Sequence, residues 1–432
     1  MSQTPQLSRA EGLQGPESGR QPGLGRYAKS ITPPKVRAKL QVQRLQRFEL
    51  LSAARDLFVW KGLQEGLEYG QNWHRTAKCH YVPHGSDVGI NVSQEHGSSF
   101  YTGLVSCGSV WSCPICAVKI QERRRQEIAA AIDWAYQHGL QPVMVTLTFP
   151  HYQWQQLSDL IAQQADALQK LRAGNPWTKF KQRMGYKGLI RSLELTYGQS
   201  GWHPHTHELW IVKGDADPEE MKAKILERWE KCCARAGLLD PDDVDQVRAF
   251  RLHSVDVKGN CSASEYLAKQ DDSRHWGADR EIAKGSTKAG RAKGKHPFRL
   301  LAMADQDGDK QAGSRFIEYA QVMKGKRQLF WSHGFKALVG IEDRTDEELV
   351  EEERDSADCL GLITNHHWKL IRAARMRGQV LNAAEREGWP GVLEVIRDVE
   401  KARPDVPIDP ASQELRTWLS PSSSKRHALS SG

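Results

Sequence analysis

The stretch that most restricts the fold runs from Leu189 to Val212. Leu189 to Tyr197 and His203 to Val212 both read as β-strands, and Gly198-Gln199-Ser200-Gly201 between them reads as a tight turn. A hairpin with so short a connection has its register set by the turn. If Gly198 to Gly201 close the loop, Tyr197 faces Trp202, and counting back three pairs puts Glu194 opposite His205. Side chains two apart on a strand share a face, with Cα atoms roughly 6.5–7 Å apart. His205 and His207 therefore present two imidazoles on one side, and Glu194 adds a carboxylate across the pair. Two imidazoles and one carboxylate suit a divalent cation such as Mg²⁺ or Mn²⁺. A hairpin one residue out of this register would turn Glu194 to the opposite face.

The hairpin sits within a longer alternation. Val143 to Phe149 is a strand rich in β-branched residues, and Gln153 to Arg172 is a helix with Leu157, Leu160, Ile161, Ala165 and Leu168 on one side. After the hairpin, Asp217 caps a helix to about Ala236, with Pro218 in its first turn. Ala249 to Val257 reads as a strand and Ala263 to Gln270 as a short helix. The order β-α-β-β-α-β predicts an α+β fold with an antiparallel sheet, of the split-βαβ or ferredoxin-like kind. That fold hosts many activities, so function has to come from the residues it carries.

Around this core, residues 1–40 read as a flexible basic arm and 41–120 as an N-terminal helix with a cysteine segment. Residues 121–270 hold the alternating elements, 271–297 a Lys/Gly-rich linker, 298–420 a helical C-terminal region and 421–432 a Ser-rich tail. In the C-terminal region helices are expected over 314–324, 346–357, 365–387 and 392–402.

The cysteines add a second centre. Cys107, Cys113 and Cys116 lie within ten residues, the last two as C-x-x-C at the start of an expected helix. Tetrahedral structural Zn²⁺ needs four ligands, and Cys79 is the natural fourth, with His80 as the alternative. The chain has no apolar run near the ~20 residues of a membrane span and no apolar signal-peptide core, so the reading is cytoplasmic, where clustered thiols bind metal rather than pair. Cys232, Cys233, Cys261 and Cys359 are isolated. The 61 basic and 53 acidic residues leave a charge of +8, which suits a polyanionic partner. Arg123, Arg124 and Arg125 on the helix after the cysteines could meet phosphates or form a solvated face, and Trp111, Trp202 and Trp210 could stack on bases or pack in a core.

A phenol and an ammonium share a helix face at Tyr266 and Lys269. Here the chain resembles the HUH endonucleases, and within them the rolling-circle plasmid replication initiators with a single catalytic tyrosine. Thr146-Leu147-Thr148, His205-Thr206-His207 and Tyr266 to Lys269 match that family's three motifs in order. The likeness covers about Ser106 to Gln270 and continues faintly through Arg327 to Ser332.

The resemblance implies that His205 and His207 hold Mg²⁺ or Mn²⁺ against a scissile phosphate of single-stranded DNA. It also implies that Tyr266 attacks that phosphate, leaving a 5′-phosphotyrosine and a 3′-hydroxyl primer, with Lys269 assisting. Partners would be single- and double-stranded plasmid origin DNA, a host helicase and other replication proteins. Thr206 replaces the family's usual bulky hydrophobe, and Ser262 stands where some members carry a Glu. The alternatives in the same class are an HUH transposase, which shares the motif order, and an HUH relaxase, whose tyrosine usually precedes the histidines. A non-catalytic zinc-containing DNA-binding regulator is the rival from another class.

Overall fold

A computed structural model describes residues 34–67, 74–262, 294–351 and 356–402. A long helix α1 (Pro34–Gln64) leads to the short α2 (Arg75–Lys78), then to the strands β1 (Asp87–Ser93) and β2 (Ser99–Thr102). Helix α3 (Pro114–Gln137) begins with Cys113 as N-cap, its sulfur accepting from the Cys116 amide, and Pro114 in the first turn.

Next come β3 (Leu140–Leu147), α4 (Leu157–Leu171), α5 (Gly174–Arg183), β4 (Gly188–Gly198), β5 (Gly201–Lys213) and α6 (Pro218–Arg235). Helix α7 (Val244–His253) and β6 (Val255–Lys258) complete this block. The remaining elements are α8 (Pro297–Gln306), α9 (Lys310–Val322), β7 (Leu329–Trp331), α10 (Phe335–Val339) and α11 (Asp346–Glu351). They are followed by β8 (Ala357–Thr364), α12 (Asn365–Ala373) and α13 (Arg377–Ala402).

The architecture is α+β with two antiparallel sheets. The larger has the order β6-β3-β5-β4-β7, and the smaller β2-β1-β8. Alternation along the strands of the larger sheet sorts its two faces. Val143, Val145, Leu147, Leu195, Trp210 and Val212 join the main core with α4, α5 and α6, through side chains such as Leu160, Trp177 and Trp229. On the opposite face, Met144, Ile190, Leu209 and Ile211 form a second core with Ile128, Ile132 and Phe335 from α3 and α10. That second core covers only one end of the face. At the other end the same rows continue as the polar side chains Thr146, Glu194, His205 and His207, which belong to neither apolar cluster among the described residues.

Three expectations are corrected. Ala249 to Val257 is not one strand: Asp243 caps α7 by accepting from the Gln246 amide, Phe250 buries its ring, and only four residues are left for β6. The C-terminal region is not purely helical, because it supplies β7 and β8. Of the helix expected over Asp346 to Ala357, the described part is Asp346–Glu351, and Ala357 instead begins β8, which pairs with β1. Strand β8 is exposed at Asp358, Cys359 and Leu362 and buried at Ile363, with no regular alternation, so it lacks the apolar period that identifies a half-buried strand.

The expected boundary at residues 120/121 falls inside α3, and the pairing of β8 with β1 joins the N- and C-terminal segments in one sheet. Arg377 reinforces that joint from a fully buried position, donating to the His80 carbonyl at 2.9 Å and to Ser52 Oγ at 2.6 Å.

Candidate functional site

The hairpin has the register that the sequence arithmetic requires, with Tyr197 opposite Trp202 and Glu194 opposite His205. Its loop is two residues shorter than assumed, since Gly198 and Gly201 pair with each other. Gly201 is needed there: its φ is +87°, and a Cβ would stand 2.9 Å from Gln153 Cα in the loop after β3.

Glu194, His205 and His207 converge, their nearest ligand atoms all within 4.8 Å of one another. Glu194 Oε2 lies 3.4 Å from His205 Nε2 and 3.6 Å from His207 Nε2. The other ring nitrogens are engaged. His205 Nδ1 stands 3.3 Å from the His203 carbonyl, and His207 Nδ1 is 3.0 Å from Thr146 Oγ1. A carbonyl can only accept, so His205 Nδ1 carries a proton, and Nε2 is the atom that faces the carboxylate oxygen. Nitrogen and oxygen at that separation need a proton or a cation between them. Glu194 Oε1 is in addition buried without a hydrogen-bond partner. Burial alone would raise the Glu194 carboxyl, but the His205 and His207 imidazoles outweigh it and hold it down at about 2. The donor set fits a hard divalent cation.

The third histidine points elsewhere. His203 Nε2 is 2.8 Å from Thr148 Oγ1, and its ring stacks on His151 at 4.5 Å. Burial, and then the neighbouring charges of His205, His151 and His207, push its imidazole down to about 3. Within the field of Glu194 is also His296, the N-cap of α8, accepting from the Phe298 amide. Its pKa falls to about 4 because burial outweighs the field of Glu194. Sequence reasoning missed His151 and His296, which belong to no motif. Thr146 was noted only as part of a motif, with no role attached to its hydroxyl.

The four cysteines also come together, and all are buried. Sulfur separations are 3.5 Å for Cys79–Cys116, 3.6 Å for Cys79–Cys113 and 3.7 Å for Cys107–Cys116. A disulfide would need about 2.05 Å. Four sulfurs about 2.3 Å from a central Zn²⁺ would lie about 3.8 Å apart, so the cluster has the size of a zinc site. Cys79, rather than His80, completes it. The other three thiols donate toward Cys116 and hold its pKa low, while burial raises Cys113.

The remaining candidates divide as follows. Trp111, Trp202 and Trp210 are core residues. Arg124 pairs with Glu127 and Asp346, and Arg125 with Glu122. Cys232, Cys233 and Cys261 are buried, whereas Cys359 is exposed. Tyr266 and Lys269 lie outside the described residues. No helix among the described residues is long and apolar enough to cross a membrane.

Comparison with known proteins bears on the whole assembly. A protein rep of Streptomyces lividans is 27% identical over 378 residues, spanning 73% of this chain and 78% of the relative. A neomycin resistance protein of Streptomyces cyanogenus is 31% identical over 176 residues, spanning 33% of this chain and 40% of the relative. A protein rep of Lentilactobacillus hilgardii is 23% identical over 235 residues, spanning 54% and 69%. No solved structure matches. The family model described as replication protein matches residues 105–374, which include three of the four clustered cysteines, both sheet faces and the Glu194–His205–His207 group, and the chain therefore belongs to the replication-protein family.

Proposed function

We propose that this replication protein is a rolling-circle plasmid initiator of the HUH, single-tyrosine kind, a metal-dependent nickase and strand transferase acting on origin DNA. The observation that carries this reading is the convergence of Glu194, His205 and His207 at the polar end of the sheet face. The strand order β6-β3-β5-β4, with every neighbour antiparallel, supports the ferredoxin-like assignment.

Glu194, His205 and His207 would hold Mg²⁺ or Mn²⁺, which when bound supplies Lewis-acid polarisation of the scissile phosphate. The protein's own groups prepare that position. Thr146 and the His203 carbonyl engage the Nδ1 atoms and so aim both Nε2 atoms at one point. The depressed carboxyl of Glu194 stays ionised through the physiological range.

Tyr266 is the nucleophile in this reading, by its match to the family motif. Its phenolate oxygen bonds to phosphorus, the P–O3′ bond breaks, and the leaving 3′-hydroxyl becomes the primer. In the closing step a 3′-hydroxyl attacks the phosphotyrosine and the phenolate departs. Lys269 would favour the phenolate by its charge. Zn²⁺ on Cys79, Cys107, Cys113 and Cys116 would be structural, because all four positions are taken by buried sulfurs. Cytoplasmic plasmid origin DNA, single- and double-stranded, and a host helicase are the partners implied.

The test is covalent capture. The protein is mixed with Mn²⁺ and single-stranded fragments tiled across its replicon's origin, then run on denaturing gels beside Tyr266→Phe and His207→Ala. An adduct formed by wild type and absent from both variants is expected. Tight, specific binding to the duplex origin with no adduct would instead favour a zinc-containing DNA-binding regulator.

A further inference from the structure

A cleft of about 1070 Å³ opens between the cysteine segment and the chain from Lys324 to Gly334. One wall carries Arg75, Cys107 and Trp111, and the other Lys324 to Arg327, continued by Phe330 and Trp331 of β7. The walls are tied together, as Trp111 Nε1 donates to the Lys326 carbonyl at 2.7 Å. Strand β7 runs antiparallel to β4 with Leu329 beside Ser192, and the Leu193 amide donates to the Gln328 carbonyl. The residues just before Gln328 thus lie along the edge of β4 that carries Glu194. The cleft runs from β7, whose Leu329 pairs with Ser192 two residues from Glu194, to the cysteine segment.

The charge in the cleft is unbalanced. Its three acids are matched by cations: Asp343 by Lys336 at 3.2 Å, Asp346 by Arg124 at 3.0 Å and Glu347 by Arg75 at 3.1 Å. Lys324, Lys326 and Arg327 are all exposed, and among the described residues none of the three has a carboxylate partner. Phe330 is a half-buried ring under the Arg191 guanidinium at 4.8 Å, while Trp331, next along the strand, turns to the other sheet face and packs against the second core. Surplus cations beside a part-exposed aromatic ring are the pairing that grips a flexible polyanion with stackable bases. A duplex offers phosphates but keeps its bases stacked inside.

We infer that this cleft is a binding groove for single-stranded DNA, holding the strand that leads away from the nicking centre, with the cysteine segment as its second wall. The inference rests on the proposed nicking function for the identity of the strand. It adds a role for the cysteine segment: to hold one side of a nucleic-acid groove in place.

The experiment uses the full chain, zinc-loaded, without added divalent cation. Binding of a fluorescent oligothymidine and of a duplex of equal length is titrated at several salt concentrations. The variants are the triple Lys324→Ala/Lys326→Ala/Arg327→Ala and, separately, Phe330→Leu. Three lost phosphate contacts should flatten the log–log salt slope for the single strand by about 2 and weaken binding at least about tenfold at low salt. Phe330→Leu should weaken single-strand binding severalfold with the slope unchanged, because stacking carries no counterion release. Unchanged affinity and slope in the triple variant, at wild-type zinc content and melting temperature, would overturn the groove. So would a larger loss for duplex than for single strand. A wild type that binds strand in the groove yet forms no adduct with Mn²⁺ would sink the nicking function and leave the groove standing.

Discussion

The two metal-type clusters of this protein are opposites in construction. The cysteine cluster is closed: four sulfurs from two separate segments surround one point, all at 2% exposure or less. The Glu194–His205–His207 cluster is incomplete: three ligands from one hairpin leave positions for other donors, and among the described residues none of the three belongs to either hydrophobic core. A closed site can only hold structure together, whereas an open one can take a substrate oxygen. Where the donors come from matters as much. The cysteines come from the end of α2, the loop after β2 and the start of α3, segments joined by an isolated bridge at Pro83 and Leu104 rather than by a ladder, so a metal there would tie them together. The hairpin is already fixed by eleven register pairs between β4 and β5, and it needs no metal to fold.

The largest test of that contrast is to remove one ligand from each cluster. Cys116→Ser is expected to lose zinc and to destabilise the N-terminal segment severely, since structural zinc contributes on the order of 10 kcal/mol in small domains. His207→Ala should keep zinc and melt within about 1 kcal/mol of wild type. Metal analysis with thermal unfolding reads both, and a Cys116→Ser protein that kept wild-type stability would erase the distinction.

The converse effect falls on chemistry. His207→Ala should cut adduct formation by more than the roughly 100-fold typical of disturbing a ligand's outer partner. Thr146→Val is the finer probe, because it keeps the β-branched shape and removes only the hydroxyl that meets His207 Nδ1. Its expected cost is about 10–100-fold, partly recovered at higher Mn²⁺, with Thr146→Ser close to wild type. A Thr146→Val enzyme with unchanged metal dependence would show that the ring needs no such orientation.

How much could be read in the sequence follows the same division. Glu194 and His205 lie eleven residues apart across a glycine-flanked turn, and a period of two with a short loop leaves little freedom, so their meeting was legible. Cys113 and Cys116 were legible from spacing, and Cys79 by counting thiols. Thr146 and His296 were not, because strand pairing between β3 and β5 and the return of the chain at α8 are tertiary events with no local signature. The pairing of β8 with β1 was hidden for the same reason, its strand showing no regular alternation of buried and exposed residues.

The smallest expected effect separates the clusters by acid. His74 caps α2 by accepting from the Thr76 amide, and its ring stacks on Phe58 at 4.0 Å, so it must remain neutral to hold the helix that delivers Cys79. Burial first, then Lys324 and Arg75, lowers its pKa to about 4. The unfolded chain takes up this proton near 6.5 and the folded chain only near 4, so the unfolded state binds more protons between those values. Stability from this group is therefore full above about pH 6.5 and falls as the pH drops toward 4. From pH 7 to about pH 5.5 the loss should be about 1 kcal/mol. His74→Asn keeps a capping acceptor without the titration. It should flatten that part of the stability–pH curve, measured by urea unfolding at fixed zinc, while leaving the pH dependence of adduct formation as it was. If the variant changed nicking with pH as well, the cysteine segment would be acting on the hairpin site, and the two clusters would no longer be independent.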